Sequence, residues 1–250
     1  MKALITGASS GIGREMARDL AKRGWDLILV ARRLEKLEEL KDELNNVSVK
    51  CIRCDVSKEE ECFALYESTK NENIDMLINN AGFGAFGPFD EVSLERELQL
   101  IDTNIRGLHI LTKLFLQDFV KRDSGYILNT GSIAGFMIGP LLSSYYSSKH
   151  YVVTLTEAIY EELRRKGSKV KVSVLCPGPV DTEFNDVAKV RFALKGQTAE
   201  YVAKYAIKNT LKGKLLIIPG FSVRLGVFAA KILPRKIVAR ILYKIQKLKM

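Results

Sequence analysis

Short apolar runs alternate with longer segments of helical period along most of the chain. KALI, residues 2–5, ends at Thr6 and is followed by GASSGIG and the amphipathic stretch REMARDLAKRG, which predicts strand, glycine turn and helix. The alternation recurs. WDLILVA (25–31) precedes a charged helix at 34–44, the alternating VSVKCIRCDV (47–56) precedes a helix at 58–71, and the apolar strand 74–80 opens a loop rich in glycine and phenylalanine at 82–93. A helix over 93–120, a strand at 125–132, a helix running to about Lys166 and a strand at 170–176 come next, then a helix over 199–211 and a strand at 214–220. Residues 183–196 have no clear period and admit either a lid or a surface helix. Strands alternating with helices, with no repeat and no linker, predict one α/β domain on a parallel sheet.

A chain of 250 residues with 47% hydrophobic content can bury a core of that size. Cys51, Cys54, Cys62 and Cys176 lack the spacing of a disulfide framework. Cys51 and Cys54 form a C-x-x-C, but no second pair or nearby histidine completes it, and no metal site is expected. MKALITG lacks the apolar run of a secretory signal, so a reduced, cytoplasmic setting is expected. The net charge of +10 is concentrated at the end: residues 221–250 hold eight basic residues and no acidic one, leaving +2 for the remainder. A nearly neutral body argues against a nucleic-acid partner.

The candidate chemistry lies where strands end. Gly7, Gly11 and Gly13, in G-x-x-x-G-x-G spacing between a first strand and a helix, let backbone N–H groups approach a pyrophosphate. Gly7-Ala8-Ser9-Ser10-Gly11 also fits a hydrolase nucleophile elbow, which needs a downstream acid and then a histidine. His109 sits in a helical stretch and His150 points about 100° away from Lys149 on a helix, so neither suits a triad. Arg32 and Arg33 follow the second strand, where an arginine would pair with a ribose 2′-phosphate, and favour NADP(H) over NAD(H). Asn104 is a mid-helix asparagine, a residue type often kept for a specific hydrogen bond. Ser132 ends a strand at the sheet edge where ligands bind, and the rigid loop from Pro177 through Gly178 and Val180 to Thr182 lies at the same edge. On a helix, Tyr145 and Lys149 are neighbours one turn apart. A fixed ammonium favours the phenolate and would lower the Tyr145 pKa, although Tyr146 is also within reach of Lys149.

Together Thr6-Gly7-Ala8-Ser9-Ser10-Gly11-Ile12-Gly13, Asn79-Asn80-Ala81-Gly82, Asn104, Ser132, Tyr145-x-x-x-Lys149 and Pro177-Gly178 resemble the short-chain dehydrogenase/reductase family over residues 1 to about 220. The resemblance implies a Rossmann-like, doubly wound, seven-stranded parallel sheet with helices on both faces. It also implies a catalytic set of Asn104, Ser132, Tyr145 and Lys149. Ser132 would bond the substrate carbonyl, Tyr145 would pass the proton, Lys149 would lower the Tyr145 pKa and bond the nicotinamide ribose, and Asn104 would hold a relay water. The family pattern selects Tyr145 over Tyr146. Contacts to NADP(H) are implied for Gly7, Ser9, Ser10, Gly11, Ile12, Gly13, Asn80, Ala81, Gly82, Pro177, Gly178 and Val180, besides Tyr145 and Lys149. Arg32 would meet the 2′-phosphate, Asp55 and Val56 the adenine, and Thr182 the carboxamide. The implied activity interconverts a carbonyl and an alcohol, and a homodimer or homotetramer is expected.

The substrate pocket is expected from residues 84–89, 133–142 and 183–194, apolar-leaning stretches that leave a hydrophobic ketone, a steroid-like substrate and an acyl-thioester-linked ketone open. Residues 221–250 read as a basic amphipathic helical extension of a 1–220 catalytic domain. Ile237, Ile241, Leu242, Ile245 and Leu248 share one stripe and Lys236, Arg240, Lys244 and Lys247 another. Such a helix suits peripheral contact with an anionic membrane, cover for the pocket, or packing on the body or a second subunit. The alternative to an enzyme is an idle nucleotide-binding scaffold or membrane-surface protein on the same fold.

Overall fold

Side-chain alternation along the first strand sets up the layers. In β1 (Lys2–Thr6) Ala3 and Ile5 point to one face and Leu4 to the other, and all three are fully buried. A strand apolar on both faces needs cover on both. The computed structural model describes residues 1–184 and 196–247. Among them β1 is joined by β2 (Asp26–Ala31), β3 (Val49–Arg53), β4 (Met76–Asn79), β5 (Tyr126–Thr130) and β6 (Lys171–Leu175). After a separate two-stranded pairing of β7 (Val180–Asp181) with β8 (Gln197–Thr198), β9 (Leu216–Ile217) completes a seven-stranded parallel sheet of order β3-β2-β1-β4-β5-β6-β9.

Helices cover both faces. Met16 and Leu20 of α1 (Gly11–Lys22), Leu37 and Leu40 of α2 (Leu34–Glu43), and the apolar side of the later helix Ala199–Leu211 pack on the face bearing Ala3 and Ile5. On the opposite face α3 (Glu59–Thr69) contributes Leu65. After α4 (Leu94–Ile101), α5 (Leu108–Lys121) contributes Phe115 and Phe119 and α6 (Ser143–Arg165) contributes Leu163, all against Leu4, Ile28, Leu77 and Ile127. Ala199–Leu211 is then α7. This is the one α/β domain on a parallel sheet expected from the alternation, in the doubly wound, Rossmann-like form that the resemblance implied.

The register explains where a ligand can sit. Leu4 pairs with Ile28 on one side and Leu77 on the other, so the chain leaves β1 toward β2 and β3 and returns across it to β4. The two directions of winding diverge at the C-terminal ends of β1 and β4, which opens a crevice there. A buried polar chain stiffens that edge: Asn79 donates to Thr112 and to Asn129, both at 2.9 Å, and Asn129 donates to Thr156 at 3.0 Å. Asn79 thereby ties β4 and β5 to α5 and, through Asn129, to α6.

Two local departures matter for the site. The helix expected over 93–120 is interrupted by a π-helical turn, Asp102–Gly107, which contains Asn104. Gly107 explains why the helix can run so close to the chain after β3, because a Cβ there would lie 2.0 Å from the Val56 carbonyl oxygen. The tail forms two helices where one was expected, α8 (Phe221–Ile232) and α9 (Arg235–Lys247). Pro234 separates them, holding Leu233 extended at φ −69° and ψ 144°. Val227 anchors α8 to the body in a cluster with Val152, Val174 and Ile218. Leu248 lies outside the described residues.

Candidate active site

The glycine turn after β1 is held to the end of β4 by side chains. Thr6 Oγ1 accepts from the backbone N–H groups of Asn80 and Ala81, at 3.0 and 3.2 Å, and Asn80 Nδ2 donates back to the carbonyls of Thr6 and Gly7. Gly7 adopts φ +67°, where only glycine is unstrained. Gly13 serves close packing: a Cβ on it would meet the Gly7 carbonyl oxygen at 2.4 Å. Ser10 occupies the N-cap of α1 with extended backbone but makes no side-chain capping bond, which leaves first-turn N–H groups to an incoming anion. Donor groups, turn and helix end fit the pyrophosphate of a dinucleotide.

Arg32 and Arg33 behave differently. Arg33 donates to Ser9 Oγ at 3.2 Å and pairs with Glu183 at 2.8 Å. Arg32 has no ion-pair partner among the described residues and borders both the main cavity and a recess shared with Arg53, Asp55, Lys58 and Glu61. Burial, and after it the charge of Arg32, pushes the Arg96 guanidinium below its ordinary pKa. Asp55 is turned inward by Ser57, whose N–H and hydroxyl both donate to its Oδ1.

A cavity of about 540 Å³ runs from this glycine turn past the end of β5 to α6. Gly7, Ser9, Ser10, Gly11, Ile12, Arg32, Asp55, Val56, Asn80, Ala81 and Gly82 border it on one side, and Ser132, Tyr145, Lys149, Pro177, Gly178, Val180 and Thr182 on the other. Gly13 and Asn104 do not border it. Gly13 lies beneath the turn. Asn104 is 1% exposed and spends its amide on neighbours: Nδ2 donates to the Phe83 carbonyl and to Ser148 Oγ, while Oδ1 accepts from Phe83 N–H at 3.0 Å. Gly82 nonetheless leaves space between that Oδ1 and Lys149, since a Cβ on Gly82 would lie 3.0 Å from Oδ1 and 3.5 Å from Nζ.

Ser132, Tyr145 and Lys149 meet at the centre. Ser132 Oγ accepts from Ala134 N–H at 3.1 Å, which directs its own proton elsewhere. Lys149 is 5% exposed, donates to the Thr130 carbonyl at 2.8 Å and sits 5.7 Å from the centre of the Tyr145 ring. Burial pushes the Tyr145 phenol up to about 12, and the hydrogen bond from Ser132 pulls the other way. Burial also brings the Lys149 ammonium down to about 8. Against the lowering expected from a neighbouring ammonium, the net shift of Tyr145 is upward, with desolvation its largest cause.

Tyr146 is set apart from this cluster. Its hydroxyl accepts from Gln246 Nε2 of α9 at 2.8 Å, so two adjacent tyrosines have different partners. Leu242, Ile245 and Gln246 border the cavity, and Met137, Leu142 and Phe184 are part of its apolar wall. Of the expected pocket stretches, 133–142 contributes and 184 closes 183–184, whereas 84–89 lies away from the cavity and only Phe83 reaches it. Residues 185–194 lie outside the described residues. Cover for the pocket was one expected role of the tail, and Leu242 and Ile245 were placed on its apolar stripe, but Gln246 was not; Val238, Leu242 and Gln246, four residues apart, mark the inward face of α9. Arg53 was missed because nothing in the strand pattern places it beside Arg32.

His109 bonds Tyr151 at 2.7 Å and His150 the Tyr146 carbonyl, and no histidine among the described residues borders the cavity. The four cysteines are free, and the described residues contain no metal-holding cluster.

The profile of a short chain dehydrogenase matches residues 1–190. A farnesol dehydrogenase of Aedes aegypti is 37% identical over 194 residues, 73% of this chain and 78% of that protein. A short-chain dehydrogenase of Sphingobium yanoikuyae in complex with NADPH superposes with a TM-score of 0.84 at 30% identity, covering 91% of this chain and 92% of the other. A Burkholderia phymatum short-chain dehydrogenase/reductase in complex with NAD superposes at 0.82 and 28% identity, covering 91% of each chain.

Proposed function

This chain belongs to the short-chain dehydrogenase family of oxidoreductases, and from that premise we propose that it interconverts a hydrophobic ketone or aldehyde and the corresponding alcohol with NADP(H). The observation that carries the reading is the cluster of Ser132, Tyr145 and Lys149 on one cavity with the uncapped N-terminus of α1. NADPH, when bound, supplies the hydride. Ser132 holds the carbonyl oxygen with the proton that Ala134 N–H has turned outward, and Tyr145 protonates that oxygen. Lys149, fixed by the Thr130 carbonyl, keeps further N–H groups for the ribose and for returning a proton to Tyr145. The space beside Gly82 suits a relay water between Lys149 and Asn104. Arg32, without an ion-pair partner among the described residues, would hold the 2′-phosphate with Arg53 beside it. The apolar wall and the likeness to a farnesol dehydrogenase support an apolar substrate.

Oxidation of NADPH with a panel of ketones and aldehydes tests this. Turnover is expected with apolar carbonyl compounds, and kcat/KM for reduction is expected to fall as pH rises through about 8, where Lys149 loses its proton. NADPH binding without turnover of any member would favour the idle nucleotide-binding alternative.

A second reading concerns the tail and the expected membrane contact. Phe221, Leu225, Phe228 and Ile232 are 78%, 58%, 61% and 66% exposed and form one stripe of α8, opposite buried Val227. Ile237, Ile241 and Ile245 of α9 are also exposed, beside Lys236, Arg240, Lys244 and Lys247. We propose that this surface lies on an anionic lipid surface. A second copy would oppose cations with cations, because the tail has no acidic residue. No described helix is long and apolar enough to cross a membrane. Co-sedimentation with phosphatidylserine vesicles is expected for the whole chain and is expected to be lost when Leu225 and Phe228 are both changed to Ser. Equal sedimentation of the two proteins would remove the proposal. Self-association as a homodimer or homotetramer is proposed through a different face, the exposed stripe Leu94, Leu98 and Ile101.

A further inference from the structure

The last described turn of α9 brings to the cavity a buried amide that the proposed reaction does not use. Gln246 is 1% exposed and borders the cavity with Tyr145, Tyr146 and Leu242. Its Nε2 donates to the Tyr146 hydroxyl at 2.8 Å, but its Oε1 has no hydrogen-bond partner among the described residues. A buried amide oxygen left unpaired is unfavourable, and such an atom on a cavity wall is satisfied when a ligand brings a donor. Tyr146 has the complementary capacity. Its oxygen accepts from Gln246, so its proton is available, and no acceptor meets it among the described residues.

Side by side, these two residues offer one acceptor and one donor on an otherwise apolar wall. A hydroxyl group answers both, donating to Gln246 Oε1 and accepting from Tyr146. A carbonyl can only accept, and a carboxylate would face the amide oxygen. Tyr145 and Tyr146 have ring centres 6.1 Å apart, so this pair is a neighbour of the proton donor and distinct from it. We propose that Gln246 and Tyr146 form a second polar subsite that takes a hydroxyl of the substrate other than the group being interconverted. The substrate class narrows accordingly to apolar hydroxyketones and the diols they yield. This rests on the carbonyl-reductase reading for the chemistry, though not for the binding.

The test uses linear methyl ketones with a hydroxyl at successive chain positions, each beside the counterpart carrying a methyl group there. With the wild-type protein and NADPH, kcat/KM is expected to favour one hydroxylated member by about 10-fold, the worth of one or two net hydrogen bonds. In Gln246→Met, and in Tyr146→Phe, that ratio is expected to fall toward unity while NADPH affinity and circular dichroism are retained. If Gln246 only pinned α9 to α6, melting temperature would drop and the ratio would stand, which overturns the proposal. So does a wild-type protein with no preference at any position. Calorimetric binding of the same pairs to NADPH-saturated Tyr145→Phe separates the two readings: a hydroxyl preference in binding without turnover in the wild type sinks the reaction and keeps the subsite, whereas turnover with no preference in either measurement does the reverse.

Discussion

Tyr145→Phe is expected to lower kcat for the proposed NADPH-dependent carbonyl reduction by about 1000-fold, within the range that a positioned general acid contributes. The NADPH dissociation constant changes by no more than about threefold, because the dinucleotide is held chiefly by groups other than the Tyr145 hydroxyl. The substitution removes one oxygen from a ring that stays packed against Phe184 and Tyr146, at 5.4 and 6.1 Å between ring centres, so the cavity wall is preserved. What disappears is a proton held up to about pH 12 by burial and aimed by Ser132. Steady-state kinetics with fluorescence titration of NADPH checks both halves. Full activity in the variant would mean that Tyr146 or water carries the proton, and loss of binding with loss of turnover would mean that Tyr145 holds cofactor more than substrate.

Arg32→Ala weakens NADPH by about 2 kcal/mol, near 30-fold, and leaves NADH within about twofold, as expected for one charge-assisted bond to the 2′-phosphate. The asymmetry between the two arginines makes this specific. Arg33 already has Glu183 and Ser9, whereas Arg32 has no ion-pair partner among the described residues, lies beside Arg53 and, after burial, lowers the pKa of Arg96. Parallel titrations with the two cofactors read the ratio. Equal weakening of both would place Arg32 outside the phosphate contact and return the choice of cofactor to Arg33 or Arg53.

The cofactor side of the site was largely legible because its residues act through local backbone. A glycine at φ +67° and a helix N-terminus a few residues later are consequences of short-range geometry, and GASSGIG encodes them directly. Ser132, Tyr145 and Lys149 were legible as chemistry but their electrostatics were not. The i, i+4 spacing placed an ammonium near a phenol, yet burial outweighed that charge and raised the phenol pKa. Asn104 shows the same limit: its type and helical setting suggested a specific hydrogen bond, and the bonds it makes are to Phe83 and Ser148, the latter 44 positions away.

By itself, then, the chain determined the order of strands and helices, the layered α/β class and the nucleotide turn, since alternation, helical period and glycine placement act over a few residues. Tertiary structure decided what depends on distant segments meeting: which arginine pairs with Glu183, how far burial shifts Tyr145 and Lys149, and that the last described turn of the tail reaches the cavity. Gln246 and Tyr146 are separated by 100 positions and touch at 2.8 Å. No local period can report such a contact, because it forms only when α9 folds back over the end of the sheet, where the strands have already gathered everything else.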